Sequence, residues 1–445
     1  MGGAVAASGT LLVAWLSPIA AQVVLPPMPP ANPPWSALDV FDPLPFARQW
    51  ERATGDGTPP EDTPVKNRQH PGYEPVGGRL GAWMLHPSLT VGSVYDSNVF
   101  ASNLVQNSDL ALRVQPTLRA DTLWSKHALS LQGDLRSVRH QRYSGLDYTD
   151  ASFRGRARID ISHASVILAN FRVARLNEAV GSLSSPAGAV EPTPYDLYSG
   201  GAAYRHQFNR FTASIGTRIE SFNFGTTRAQ DGSIIDQSTR DGQVYVGHGR
   251  LDYAVSPKLG LFSALEVNKR DIRGTPTVPL GSNGYWALSG VNLELSRLIT
   301  GEIGVGYAEQ RFDAATLPPI SGPSYRAMLT WSPTRMIDVF MKAERIVTQA
   351  SDTDASGIRA DAIQLGIDYE FRRNVVLSLS GTYEKDRFIG RDRVDTVYSS
   401  LAEARYLLNR TYSLSLQHRY IQRNSNIPAF SYDKHEVGID VTARF

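Results

Sequence analysis

The chain has 445 residues, 45 Lys and Arg against 43 Asp and Glu for a formal charge of +2, and no Cys. That balance excludes a basic nucleic-acid binder, and the missing thiols exclude disulfide scaffolds, thiol catalysis and cysteine-ligated zinc. Mean hydropathy is −0.25, and past residue 25 no apolar run approaches the ~20 residues of a spanning helix, but alternating barrel strands average out as hydrophilic.

Met1 to Ala21 holds an apolar run, Leu11 to Leu16, then Pro18 and the small residues Ala20 and Ala21. The pattern predicts a signal peptide over residues 1–21, cleaved after Ala21; no Lys or Arg precedes the run, and a short signal anchor is the alternative. Over residues 22–79 prolines cluster in LPPMPPANPP, FDPLP, TPPEDTP and HPGYEP. Proline at this density fixes φ and removes amide donors, so this segment is expected to be periplasmic and largely disordered. Trp35, Leu38, Val40 and Phe41 interrupt it, either as a docking element for a partner or as a loose contact with the rest of the chain.

From residue 80 onward, runs of roughly 12 to 17 residues alternate in period 2, as tilted membrane strands do. Eighteen such runs are counted, from 82–98, 108–123 and 127–143 through to 411–426 and 431–445. Tight separators such as Ser162-His163, Phe208-Asn209, Ser256-Pro257 and Asn409-Arg410 alternate with longer polar connections such as 101–107, 177–193, 226–239 and 274–283. Short periplasmic turns alternating with longer outside loops describe an outer-membrane barrel, and a soluble sandwich gives no reason for them. The expected fold is therefore all-β: a closed antiparallel transmembrane β-barrel over residues 80–445 with about 18 strands, or 16 if one pair is misread.

An even count places both chain ends in the periplasm. In the last run Val437, Ile439, Val441, Ala443 and Phe445 fall on a lipid face and Glu436, Asp440, Thr442 and Arg444 on the other. Aromatics near run ends, among them Trp124, Phe208, Phe211, Tyr253, Trp331, Phe371, Tyr412 and Phe445, suit an interfacial girdle.

A barrel of 16 to 18 strands leaves an aqueous channel lined by the polar faces. The lining candidates on the early strands are Arg113, Arg136, Arg154, Arg156, Arg158, Arg172, Arg218 and Arg250. Those on the later strands are acidic apart from their neighbours: Glu294, Glu302, Asp338, Glu344, Asp368, Glu370, Glu384, Glu403 and Asp440. If these sets form opposite walls, a transverse field crosses the lumen; the alternative is that charges pair between neighbouring strands, as Arg158 can with Asp134 or Asp160. The third long connection, 177–193, is rich in small residues and is a candidate constriction, with surface disorder as the alternative.

No catalytic, cofactor or metal site is expected. His435-Glu436 begins like a zinc-protease helix, but Ile439 stands where the second His is needed, and there is no phosphate-binding loop or G-x-S-x-G.

The residues Leu85-His86-Pro87-Ser88-Leu89, Tyr95-Asp96-Ser97-Asn98-Val99-Phe100, Ser108-Asp109 and Val114-Gln115-Pro116 resemble the first barrel strands of the putative β-barrel porin 2 family. They match its aromatic-Asp-x-Asn-hydrophobic turn after strand one and its V-x-P in strand two. The resemblance implies an outer-membrane protein that passes a secreted exopolysaccharide, working with periplasmic and inner-membrane polysaccharide export proteins and surrounded by outer-membrane lipid. Arginine walls suit acidic sugars, and the lumen aromatics Phe262 and Phe340 suit stacking on sugar rings. A general or sugar-selective diffusion porin and a non-conducting structural or adhesin barrel are the alternatives. Read without the family, Asp96 and Asn98 end a strand and start an outside turn, with a calcium or sugar site there as the rival reading.

Overall fold

Alternation in period 2 over a dozen or more residues yields strands with two unlike faces, and the chain joins them edge to edge until no edge is left. The computed structural model describes residues 65–68, 70–183, 185–186, 188–275, 278–295, 298–348 and 357–445. The predicted signal peptide, its cleavage position, and the proline-rich segment through residue 64, with Trp35, Leu38, Val40 and Phe41, lie outside the described residues.

The barrel strands are β1 (Trp83–Asp96), β2 (Asp109–Thr122), β3 (Ala128–His140), β4 (Tyr148–Ser162), β5 (Ser165–Glu178) and β6 (Thr193–Phe208). Next come β7 (Phe211–Phe224), β8 (Gly242–Ser256), β9 (Leu259–Ile272), β10 (Ser282–Glu294), β11 (Ile299–Phe312) and β12 (Ile320–Thr334). The last six are β13 (Ile337–Thr348), β14 (Gly357–Arg372), β15 (Val375–Ile389), β16 (Arg393–Leu407), β17 (Tyr412–Ser425) and β18 (Tyr432–Arg444). Each pairs antiparallel with the next, and β18 closes on β1 from Ser88 opposite Arg444 to Asp96 opposite Glu436. The count is eighteen, so the sixteen-strand alternative falls.

Two-residue turns such as 163–164, 209–210 and 335–336 close one end, which is the periplasmic end of such a barrel. Asn209 takes the left-handed conformation there, at φ 52°. The other end carries the long connections, including 179–192 and 225–241.

The outward faces carry exposed apolar residues, for example Leu89 and Val91 on β1, Ile215 and Ile219 on β7, and Ile363, Leu365 and Ile367 on β14. At their periplasmic ends sit Trp83 and Trp124, 6.4 Å apart, Phe211 and Tyr253, 4.7 Å apart, and Trp331, Phe371 and Phe445. A second girdle of exposed tyrosines, Tyr95, Tyr198, Tyr245, Tyr307, Tyr383 and Tyr398, marks the outer interface.

The inward faces are mostly charged, with one departure from the expected polar lining. At the outer ends of β5 to β8, Ala174, Tyr195, Leu197, Phe222, Phe224, Val244 and Val246 form a buried apolar cluster. This inner wall supports loops rather than water.

Candidate functional site

The lumen is built first by its wall. All seventeen lining candidates share the strand parity opposite the exposed apolar residues, so alternation places them on the inward face. Many are paired within that wall. Arg113 on β2 reaches Asp440 on β18 across the intervening β1, where a Cβ on Gly92 would lie 1.9 Å from the Asp440 carboxylate. The missing side chain is what lets the two ions meet.

Arg158 meets Asp160 at 2.7 Å, Arg218 meets Glu220 at 3.2 Å, and Arg326 meets Glu344 at 3.9 Å. Arg250 bridges Asp252 at 2.8 Å and Glu302 at 2.7 Å. Replacing Arg250 with Met leaves two largely buried carboxylates without their cation. Breaking a buried pair costs roughly 3–5 kcal/mol, and the wet lumen puts this one near the lower bound. Urea unfolding of the refolded barrel in lipid vesicles measures it, and an unchanged midpoint refutes that role.

Charge is nonetheless unevenly spread. Arg136, Arg154, Arg156 and Arg172 gather on β3 to β5, with Arg154 directly opposite Arg172 in the ladder. Asp338, Asp368, Glu370, Glu384 and Glu403 gather on β13 to β16, with Asp338 directly opposite Asp368. These groups lie about half the circumference apart, but Asp134, Asp150, Asp160 and Glu178 share the inward face of β3 to β5 and Lys342, Arg393 and Arg405 that of β13 to β16, so the excess is acidic on β13 to β16 and small on β3 to β5. Glu294 sits at the periplasmic end of β10, away from both.

The lumen aromatics singled out for sugar stacking are used otherwise. Phe262 is 4% exposed, and its ring covers Gly290 and Gly304, where a Cβ would approach to 2.7 and 2.8 Å. The Arg250 guanidinium caps it at 4.2 Å. The ring of Phe340 likewise covers Gly366. Both faces of Phe262 are therefore taken by the protein, while Phe340 has one side against Gly366 and is partly exposed.

Connection 179–192 folds across the outer mouth of the barrel. Its base is held where Glu178 accepts two bonds, of 2.8 and 2.6 Å, from the fully buried Arg240 in connection 225–241. The same guanidinium lies 3.9 Å over the Phe224 ring. Val190 N–H donates to the Arg228 carbonyl, and the Thr227 hydroxyl donates to the Glu191 carbonyl at 2.7 Å.

The tip goes further. Leu183 is buried with Ile358 on β14 and Phe388 on β15, nine strands from its own hairpin, so the loop crosses to the far wall. Gly181, at φ +75°, accepts a bond from the Tyr432 hydroxyl and sits where a Cβ would lie 2.1 Å from Ala101 Cβ.

The periplasmic mouth holds residues that sequence reasoning missed. Val65 is fully buried, and its N–H donates to Asp338. Arg68 donates to the Arg335 carbonyl and, at 3.1 Å, to Glu370, while Lys66 lies 3.8 Å from Glu403. His70 packs beside Glu370, and burial holds its imidazole below the usual range against the pull of Glu370 and Glu74. The chain then returns to β1, where Gly78–Leu80 pairs with Trp83 to Leu85. The end of the proline-rich segment thus lies on the acidic wall. The signal available in the sequence was the basic set Lys66, Arg68 and His70, matched to acidic inward faces on later strands.

The outer lumen also holds an open recess lined by Arg218, Glu220, Glu266, Arg270, Trp286 and Arg326 among others. At the outer turn after β1, Asn98 is fully buried and bonds Ser102 and the Asp433 carbonyl, while Asp96 pairs with Lys434 at 2.9 Å. A lysine holds the carboxylate that a cation site would need, and the motif acts as a strand end and turn.

Residues 70–445 match a family model described as putative beta-barrel porin 2. Among solved structures, the chain is similar to OpdL of Pseudomonas aeruginosa at 14% identity and a TM-score of 0.43, over 82% of this chain and 99% of that one. It is also similar to a BenF-like porin from Pseudomonas fluorescens Pf-5 at 11% identity and a TM-score of 0.43, over 80% of this chain and 97% of that one. No curated protein matches it.

Proposed function

The chain belongs to the putative beta-barrel porin 2 family and is a porin-like barrel of the outer membrane, and from that premise we propose that it conducts small polar solutes by passive diffusion. The observation that carries this reading is the burial of Leu183 on the far wall, because a loop crossing the lumen leaves narrow openings beside it. The segment at the periplasmic mouth adds a second obstacle in series. A lumen lined by many charged side chains of both signs favours hydrated, polar molecules over apolar ones. Family and lumen alike point to a conduit rather than a catalyst.

Export of an exopolysaccharide, implied by the sequence resemblance, fits this interior less well. A chain of sugar rings would have to pass the crossing loop and the mouth segment at once, and Phe262, covered on both faces, offers it no stacking surface. Purified full-length protein in liposomes is expected to give swelling with mono- and disaccharides that declines steeply for longer oligosaccharides, together with steady conductance in planar bilayers. The reading fails if no conductance appears and a deletion strain retains polymer in its periplasm.

A further inference from the structure

The outward face of the barrel changes character above the outer tyrosine girdle. On β15, Tyr383 is followed on the same face by Lys385 and Arg387; on β14, Ile363 is followed toward the outer end by Asp361 and Arg359; on β13, Arg345 occupies the equivalent level. Strand geometry puts these residues about 7 to 14 Å beyond the girdle, where hydrocarbon gives way to headgroups. Among the described residues on the outward faces of these strands, four cations share this patch with one carboxylate.

Elsewhere on the outer rim several outward charges are matched one to one or turned to backbone carbonyls. Lys269 pairs with Asp271 at 3.1 Å, Arg311 with Glu309, and Arg175 with Asp196 at 3.6 Å. Arg139 donates to the Val138 and Tyr148 carbonyls. On β13 to β15 the single carboxylate, Asp361, is engaged by Arg345 and the Tyr325 hydroxyl, with Arg387 at 4.0 Å.

Arg359 and Arg387 stand directly opposite each other in the β14–β15 ladder. Like charges in that position repel, and the Arg359 Nε is enclosed without an acceptor among the described residues. An anion between the two guanidiniums resolves both facts. The guanidinium fork matches phosphate oxygens, and the location restricts the anion to one that lives at the headgroup level of the outer leaflet.

We propose that Arg359 and Arg387, flanked by Arg345 and Lys385, form a binding site for the phosphate of a phosphorylated glycolipid in the outer leaflet. Arg345 and Arg359 also border the outer recess lined by Arg218 and Arg270, and the site does not depend on what the channel conducts.

The test uses purified full-length protein in neutral detergent, titrated with bisphosphorylated lipid A and with the same glycolipid after both phosphates are removed. The phosphorylated form is expected to bind about tenfold more tightly, in keeping with two charge-assisted guanidinium contacts. The Arg359→Gln/Arg387→Gln variant is expected to lose that preference, and Arg175→Gln on the other side of the barrel to keep it. Heat-dependent gel mobility reports whether each variant is folded. Equal binding of the two glycolipids by the unmodified protein overturns the proposal without any variant. So does a preference that survives in the folded double variant, or equal binding of phosphatidylglycerol, which would mark a patch that reads charge alone. Should the double variant not fold, Lys385→Gln, which leaves the opposed pair in place, is expected to reduce the preference several-fold, and no change in it counts against the site.

Discussion

Replacing Arg68 with Glu is expected to raise the fraction of time the channel spends fully open by about tenfold, from a state in which openings are brief and rare. Burying Val65 contributes roughly 1.5 kcal/mol. The partly exposed pairs Arg68–Glu370 and Lys66–Glu403 contribute less than about 1 kcal/mol each after screening. Docking of the mouth segment is therefore worth only about 2–3 kcal/mol, a docked-to-released ratio on the order of 100. Arg68→Glu removes one pair and sets a carboxylate against Glu370, a change of about 1–2 kcal/mol, which is close to tenfold in that ratio. Single-channel recording in planar bilayers reads the open fraction directly. An unchanged fraction means the segment does not gate.

The same segment gives the channel a pH dependence whose sign follows from His70. Burial depresses its pKa, partly offset by Glu370 and Glu74 and reinforced by Arg405, so the released segment binds more protons than the docked one. Docking is then fully supported above the ordinary histidine value near 6.5 and weakens as pH falls through it. Acidification from pH 7.5 to 5.5 is expected to add openings in the unmodified protein and fewer in His70→Asn.

The strand count, the alternation of turns and the lipid face were legible because period 2 is a local property that each run carries by itself. The parity of Arg113, Asp338 and Asp440 followed from the same pattern. Their partners did not, because Arg113 finds Asp440 over Gly92, and that meeting depends on the register of two nonadjacent strands. Phe262 was misread for the same reason: alternation placed it inward, but only the sheet shows Gly290 and Gly304 beneath its ring.

The mouth segment was hidden differently. Its prolines announce extended chain, whereas the seated part is a single helical turn, Val65–Asn67, too short to show periodicity and held by one buried Val and two basic side chains. The acidic wall of β13 to β16 and the basic set Lys66, Arg68 and His70 were both visible, but nothing local says that they meet. The apolar inner faces of β5 to β8, by contrast, are written in Leu197, Phe222, Val244 and Val246, which make those strands apolar on both sides near the loops.

Leu183→Asp is expected to enlarge the channel without unfolding the barrel. The Leu183 side chain gains roughly 2 kcal/mol from its contact with Ile358 and Phe388. An aspartate there would bury a charge with no cation supplied by that apolar contact, at a cost of several kcal/mol, so the tip must leave the far wall. The base stays in place, because Glu178–Arg240 and the hydrogen bonds between 189–191 and 227–229 lie outside the changed contact. Oligosaccharides excluded by the unmodified protein are therefore expected to cause swelling in the variant, with the unfolding free energy in urea lowered by no more than the roughly 2 kcal/mol of the lost contact. Leu183→Met, which conserves volume, is expected to keep the original size limit. An unchanged limit in Leu183→Asp would mean that the crossing loop is not the narrowest point, and the mouth segment around Val65 would then set it alone.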